Sequence, residues 1–215
     1  MLDSFSLDSL KSSFKSNKKF RIATYCIGGL FLSILLYFSY RQFIWKPANE
    51  KSKDCYWISL NYMKKGEIDK AIPLLISAVK KYDGYDGGEI AQYLLGKCYM
   101  GKGQFVKALN SLKEVNTDDT YISVFCIGLQ GDCNVELKKY DAALKLYEEA
   151  SIAGENNLTT PMYLFKAGAV AEQLKKYSVA TEHYIRIRDE FPEYASQNIF
   201  TIDKYIARVS SNKAK

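Results

Sequence analysis

The amino-acid sequence predicts an all-α chain: one N-terminal transmembrane helix, then an α-solenoid of four helical hairpins, then a C-terminal capping helix. Three observations carry this. Ile22 to Tyr40 contains no charged residue over a length that suits a bilayer. Beyond residue 54, four windows of equal length align without gaps, and apolar residues recur at helical spacing to the end of the chain. The expected divisions are a basic cytoplasmic tail (1–21), the transmembrane helix (22–40) and a juxtamembrane linker (41–53). Four repeats follow over 54–194 (about 54–83, 90–120, 125–155 and 161–192), then a capping helix and tail (195–215).

The apolar segment reads "IATYCIGGLFLSILLYFSY". Its 19 residues span roughly 28 Å as a helix, close to the hydrocarbon thickness of a membrane. Phe20, Tyr37, Tyr40, Phe43 and Trp45 suit the aromatic belts at the two interfaces. A cleaved signal would end in small residues, whereas this one ends in "YFSYRQFIW", so an uncleaved anchor is expected. A lipoprotein signal ending at Cys26 fails because no apolar run precedes it. Ile22, Leu30, Phe31, Leu35, Leu36 and Tyr40 are the expected contacts with the lipid bilayer. "NKKFR" before the segment is more densely basic than "RQFIWKP" after it, which favours a cytoplasmic N-terminus and a translocated domain. Pro47 and the polar run "ANEKSKD" read as the exit from the anchor.

The four windows are "SLNYMKKGEIDKAIPLLISA" from Ser59, "GKCYMGKGQFVKALNSLKEV" from Gly96, "GDCNVELKKYDAALKLYEEA" from Gly131 and "GAVAEQLKKYSVATEHYIRI" from Gly168. Their first column is small, which lets two helices approach. Ile68, Phe105, Tyr140 and Tyr177 open a second helix, with Asp69, Asp141 and Ser178 as expected N-caps in three units. Ala71, Ala108, Ala143 and Ala180 permit close crossing, and Leu75, Leu112, Tyr147 and Tyr184 lie four residues on along the same face. The stripe ends with Ala78, Val115, Ala150 and Ile187. Pro73 is expected near the first turn of a helix capped by Asp69, where a missing N–H costs little. Ile199, Ile202, Ile206 and Val209 mark a last helix that covers the open end of the stack.

These columns resemble the tetratricopeptide repeat, a stacked helical hairpin of about 34 residues. The resemblance rests on "YDAALKLYEEA", "LGKCYMGKGQFVKAL" and Pro192 after the fourth hairpin. Asn134 and Ala171 depart from it, standing where earlier units have Tyr62 and Tyr99, and "YDGYDGG", "NTDDTY" and "GENNLTTP" lengthen the connections.

The sequence shows no convergent catalytic set, so no enzyme, no cofactor and no small-molecule substrate are expected. His183 reads as a surface or groove-edge residue. Cys26, Cys55, Cys98, Cys126 and Cys133 form no C-x-x-C pair, which argues against zinc; burial as small apolar residues is favoured over disulfide pairing. The net charge of +6 is spread toward the two ends, so nucleic acid is not an expected partner. The sequon at Asn157 carries no weight without evidence of a eukaryotic secretory route.

A helical stack offers one side lined by first helices to a peptide or partner helix. The expected groove residues are Tyr56, Leu60, Met63, Tyr93, Lys97, Met100, Asp132, Val135, Phe165, Ala169 and Glu172. For each, packing against a neighbouring helix is an equal alternative. Tyr56 and Leu60 stand where a carboxylate clamp would need Lys and Asn, which argues against a chaperone-tail receptor.

The whole layout, a basic tail, one membrane helix, "YRQFIWKP" and four degenerate repeats ending in "IDKYIARV", resembles the YfgM-like ancillary subunits of the Sec translocon, especially those of Bacteroidetes. That resemblance implies a single-pass protein of the bacterial inner membrane with a periplasmic repeat domain. It also implies contact with the SecYEG channel and a periplasmic chaperone, and a role in passing emerging chains onward. A scaffold for another membrane complex, including a cytoplasm-facing one, and an organelle import receptor are the alternatives.

Overall fold

The computed structural model describes residues 14–197 and 202–213, and all regular structure among these residues is helical. The chain divides into two compact units between Lys51 and Ser52.

The first unit is dominated by α1 (Lys18–Tyr40). Asn17 caps it: the Asn17 side chain accepts hydrogen bonds from the amides of Lys19 (3.0 Å) and Phe20 (3.2 Å). The helix is long and apolar enough to cross a membrane, and none of its residues is buried within the chain. A π-helical turn, Arg41–Trp45, follows and runs into α2 (Lys46–Ser52). Pro47 therefore does not end the helix. It stands in the first turn of α2, directly after a widened turn of the kind that accommodates a proline ring.

The second unit contains four hairpins: α3 (Trp57–Lys64) with α4 (Ile68–Lys81), α5 (Asp86–Gly101) with α6 (Phe105–Lys113), α7 (Thr120–Glu136) with α8 (Tyr140–Ile152), and α9 (Thr159–Gln173) with α10 (Tyr177–Glu190). Two further helices, α11 (Pro192–Gln197) and α12 (Ile202–Lys213), close the C-terminal end. Ile202 and Val209 of α12 are buried, and Ile206 packs against the same core. The terminal cover is thus two helices, with Ile199 outside the described residues.

Each hairpin closes by the same turn. Gly66, Gly103, Lys138 and Lys175, one column of the repeat, all have left-handed backbone conformation, with φ of 76°, 69°, 58° and 58°. The next residue's amide reaches back to the carbonyl of Tyr62, Tyr99, Asn134 or Ala171 at 2.8–2.9 Å, the six-to-one bond of a Schellman motif. That column is asked for a carbonyl, so Asn134 and Ala171 serve as well as tyrosine. The two lysines hold a conformation costly for a residue with a Cβ. Lys138→Gly and Lys175→Gly are each expected to stabilise the chain by about 1 kcal/mol, measured by urea unfolding in mild detergent, whereas Gly103→Lys should destabilise it comparably.

The expected N-caps fall elsewhere. The second helices begin at Ile68, Tyr140 and Tyr177, and their cap positions, Glu67, Lys139 and Lys176, make no side-chain cap hydrogen bond. Asp69 and Asp141 sit inside the first turn, where their charge suits the helix dipole. Each also meets a lysine of the next unit: Asp69 pairs with Lys102, and Asp141 with Lys176 at 2.6 Å. Pro73 is the sixth residue of α4, not a first-turn residue, and its ring lies on the exposed side.

Packing follows the columns. Alanines 71, 108, 143 and 180 are fully buried, and Leu75, Leu112, Tyr147 and Tyr184 lie at most 3% exposed. A Cβ added to Gly131 or Gly168 would stand 2.5 Å from the ring of Tyr147 or Tyr184, so glycine is what leaves room for the tyrosine in these two units. Unit two has glycine beneath leucine, with a Gly96 Cβ 2.7 Å from Leu112. In unit one Ser59 occupies the column, fully buried with its hydroxyl unpartnered.

Candidate partner-binding face

α7 meets both α5 and α9, whereas no two successive second helices come together in this way, so α5, α7 and α9 line the inner side of the stack. The eleven expected groove residues lie on or beside the first helices, in two dissimilar halves.

In the N-terminal half Tyr56, Leu60 and Met63 are half-buried along α3, leaning on the core shared by the first two hairpins. Tyr93 bridges that core and the next, and Met100 packs on the second of them. The Lys97 ammonium is exposed and lies 5.5 Å from the Tyr93 ring centre. Burial raises the Tyr93 hydroxyl above its usual range. This half presents aromatic and thioether surface with one cation: Tyr56, Leu60, Met63, Tyr93 and Met100 pack on the cores and stay partly exposed.

In the C-terminal half the expected groove residues are taken up within the chain. Asp132 accepts a hydrogen bond from the Tyr147 hydroxyl (2.6 Å) and pairs with the Lys166 ammonium (2.7 and 2.9 Å). Lys166 in turn lies 5.5 and 5.7 Å from the ring centres of Tyr147 and Tyr163. One hairpin on, Glu172 accepts from the Tyr184 hydroxyl (2.7 Å) and takes both nitrogens of Arg208 from α12, at 2.6 and 3.0 Å. Burial, then the adjacent carboxylate, pushes the Tyr147 and Tyr184 hydroxyls well above their usual range. Phe165 packs edge-on against Tyr205 of α12 at 4.9 Å. Val135 is half-buried on the core, and Ala169 is the exposed member of the set.

Sequence reasoning missed Tyr163, which fills this half. Gly128 stands in the column that holds Tyr56, Tyr93 and Phe165 in the other units, and a Cβ on Gly128 would lie 2.0 Å from the Tyr163 ring. The blank column was the available signal: a missing large residue invites its neighbour's ring.

His183 is not at the groove. It lies on α10, largely buried, with Nε2 3.1 Å from Glu148 of α8, between second helices on the outer side. Among the described residues no cluster of His, Cys, Asp and Glu could hold a metal ion.

Four hairpins with left-handed turns, small-on-large crossings and inner first helices define a tetratricopeptide-type helical repeat. Solved structures share it. MamA superposes with a TM-score of 0.60 at 22% identity, over 78% of this chain and 83% of that one. A tetratricopeptide repeat protein from Parabacteroides merdae gives 0.60 at 17% identity, over 78% of this chain and 61% of its own length. The nearly identical TPR-like repeats of a Podosopora anserina kinesin light chain give 0.56 at 13%, over 78% and 88%. At these identities the likeness is one of fold. No protein-family profile and no curated protein sequence matches the chain.

Proposed function

We propose that this chain is a membrane-anchored, non-catalytic protein–protein interaction module that serves as an ancillary Sec-translocon subunit. In this reading α1 crosses the inner membrane with the N-terminus cytoplasmic, and the repeat stack works in the periplasm with a chaperone on emerging chains. One observation carries it: an apolar helix with no residue buried precedes a repeat stack whose N-terminal inner half offers Tyr56, Met63, Tyr93 and Met100 as partly exposed surface. Such surface suits apolar, unfolded or helical segments of many sequences.

Free cysteines weigh against an oxidising compartment, and burial removes that objection for three of them. All five are free; Cys98, Cys126 and Cys133 are buried, and burial pushes the Cys126 thiol up to about 12 and the Cys133 thiol to about 11. Protonated buried thiols resist oxidants. These three are expected to resist a disulfide reagent at mildly alkaline pH until urea is added, as read by mass spectrometry; modification of Cys133 in the folded chain would count against the reading.

Crosslinking in intact cells followed by mass spectrometry tests the assignment. SecY or SecE should appear among the partners and be depleted by Met63→Lys with Tyr93→Ala. Their absence sinks the translocon role. Protection of the repeat domain from protease added to spheroplasts would instead support the cytoplasm-facing scaffold, the alternative that the thin charge asymmetry around α1 keeps open.

A further inference from the structure

A helical stack has two open ends, and at the C-terminal one α12 supplies a cover. At the other end no further hairpin lies over the first. The outward stripe of α3 and its C-cap is Trp57, Ile58, Asn61, Lys64 and Lys65, all exposed. The corresponding residues of the second hairpin, Leu94, Leu95 and Cys98, are 6%, 6% and 1% exposed, because the first hairpin lies over them. Trp57 and Ile58 have no such neighbour and stand 54% and 62% exposed. Terminal units of solenoids ordinarily carry a polar outer face. This one is apolar at one end of the stripe and cationic at the other.

The charge distribution points to what covers it. Residues 53–81 hold six lysines and three carboxylates, a net charge of +3. Residues 82–197 hold twelve basic and seventeen acidic side chains, a net charge of −5. The first hairpin is therefore net positive against a net negative body of the stack, and the uncovered stripe lies on that positive hairpin. A second copy docked end to end in two-fold fashion would bring two positive stripes together. A head-to-tail copy would set the stripe against α12, where Asp203 offsets Lys204 and Arg208 is already paired with Glu172, so that face offers the lysines no net negative charge. A surface of anionic phospholipid meets both halves of the stripe: tryptophan suits the interfacial layer, and lysine the headgroup phosphates.

We propose that the outward stripe of α3 docks on the anionic headgroup surface of the membrane in which α1 is anchored, so that the stack lies with its first hairpin on the lipid. The inference rests on the anchor reading and adds a second, reversible contact to it. Lys64 and Lys65 supply attraction to phosphate, and Trp57 and Ile58 enter the interfacial layer.

The chain has two tryptophans, Trp45 and Trp57, so Trp45→Phe leaves Trp57 as a sole reporter. The full-length variant is reconstituted into phosphatidylcholine vesicles with and without phosphatidylglycerol, and brominated acyl chains serve as a short-range quencher. Flotation with the vesicles after an alkaline wash reports α1 separately. The expected result is a blue-shifted Trp57 emission quenched at least about twofold in the anionic vesicles, reverting in high salt and in Lys64→Gln with Lys65→Gln. An unquenched, red-shifted Trp57 in a chain that floats would overturn the docking while leaving the anchor standing. A blue shift that depends on protein concentration and not on lipid charge would assign the stripe to a second copy and overturn it equally. A chain that does not float removes the anchor, and with it the inference.

Discussion

Tyr163→Ala is expected to destabilise the repeat stack by about 3–5 kcal/mol, the range for losing a buried aromatic side chain. Tyr163 is 2% exposed and stacks on Tyr147 with ring centres 6.3 Å apart. It occupies space that exists because Gly128 has no Cβ. Gly128→Ala alone should cost about 1–3 kcal/mol by overpacking the ring. Combined, the two changes should cost less than their sum, since the new methyl projects into the volume the ring vacates. A coupling of more than about 1 kcal/mol in urea unfolding is expected for residues in such contact; simple additivity would mean that the ring does not rest on Gly128. Loss of the ring also strips one aromatic face from Lys166, whose pairing with Asp132 closes the inner face of this half.

Gly88→Ala is the second severe case, for a different reason. A Cβ there would lie 1.9 Å from the carbonyl oxygen of Tyr82, and one at Gly87 would lie 2.0 Å from that of Ser52. Backbone atoms, not flexible side-chain ends, oppose both, so relief requires the start of α5 to move away from the preceding hairpin. The expected loss is about 3 kcal/mol, the upper range of overpacking, with a lower thermal midpoint by circular dichroism in detergent. Gly101→Ala, at the other end of the same helix, meets only the tip of Ile68 at 3.0 Å. It should be nearly neutral, because about 1 kcal/mol of helix propensity offsets the contact. Equal loss at both positions would show that general helix effects, not close backbone approach, govern α5.

Gly87 and Gly88 also show where the sequence was hard to read. "YDGYDGG" has the composition of a loop, yet Asp86, Gly87 and Gly88 form the first turn of α5. Pro161 reads as a breaker and is the third residue of α9, where no intrahelical donor is missed. The first helices of the later units consequently start earlier than the periodicity alone indicates. The repeat itself was legible because its columns are set by steric demand: alanine where helices cross, a small residue beneath a large one. The inner face was less so. Periodicity places Asp132 and Glu172 on the right side of their helices, but their partners, Lys166 and Arg208, come from 34 and 36 residues away in the next layer. No local spacing announces such a pairing, nor the ring that fills the gap at Gly128.

The left-handed turn column sorts the four hairpins by kinship. Glycine at Gly66 and Gly103 goes with leucine at Leu75 and Leu112; lysine at Lys138 and Lys175 goes with tyrosine at Tyr147 and Tyr184. The hairpins thus match in two pairs, first with second and third with fourth, and the seam between the pairs falls in the connection from Lys113 to Thr120. A designer recombining this chain would cut there, exchanging hairpins two at a time.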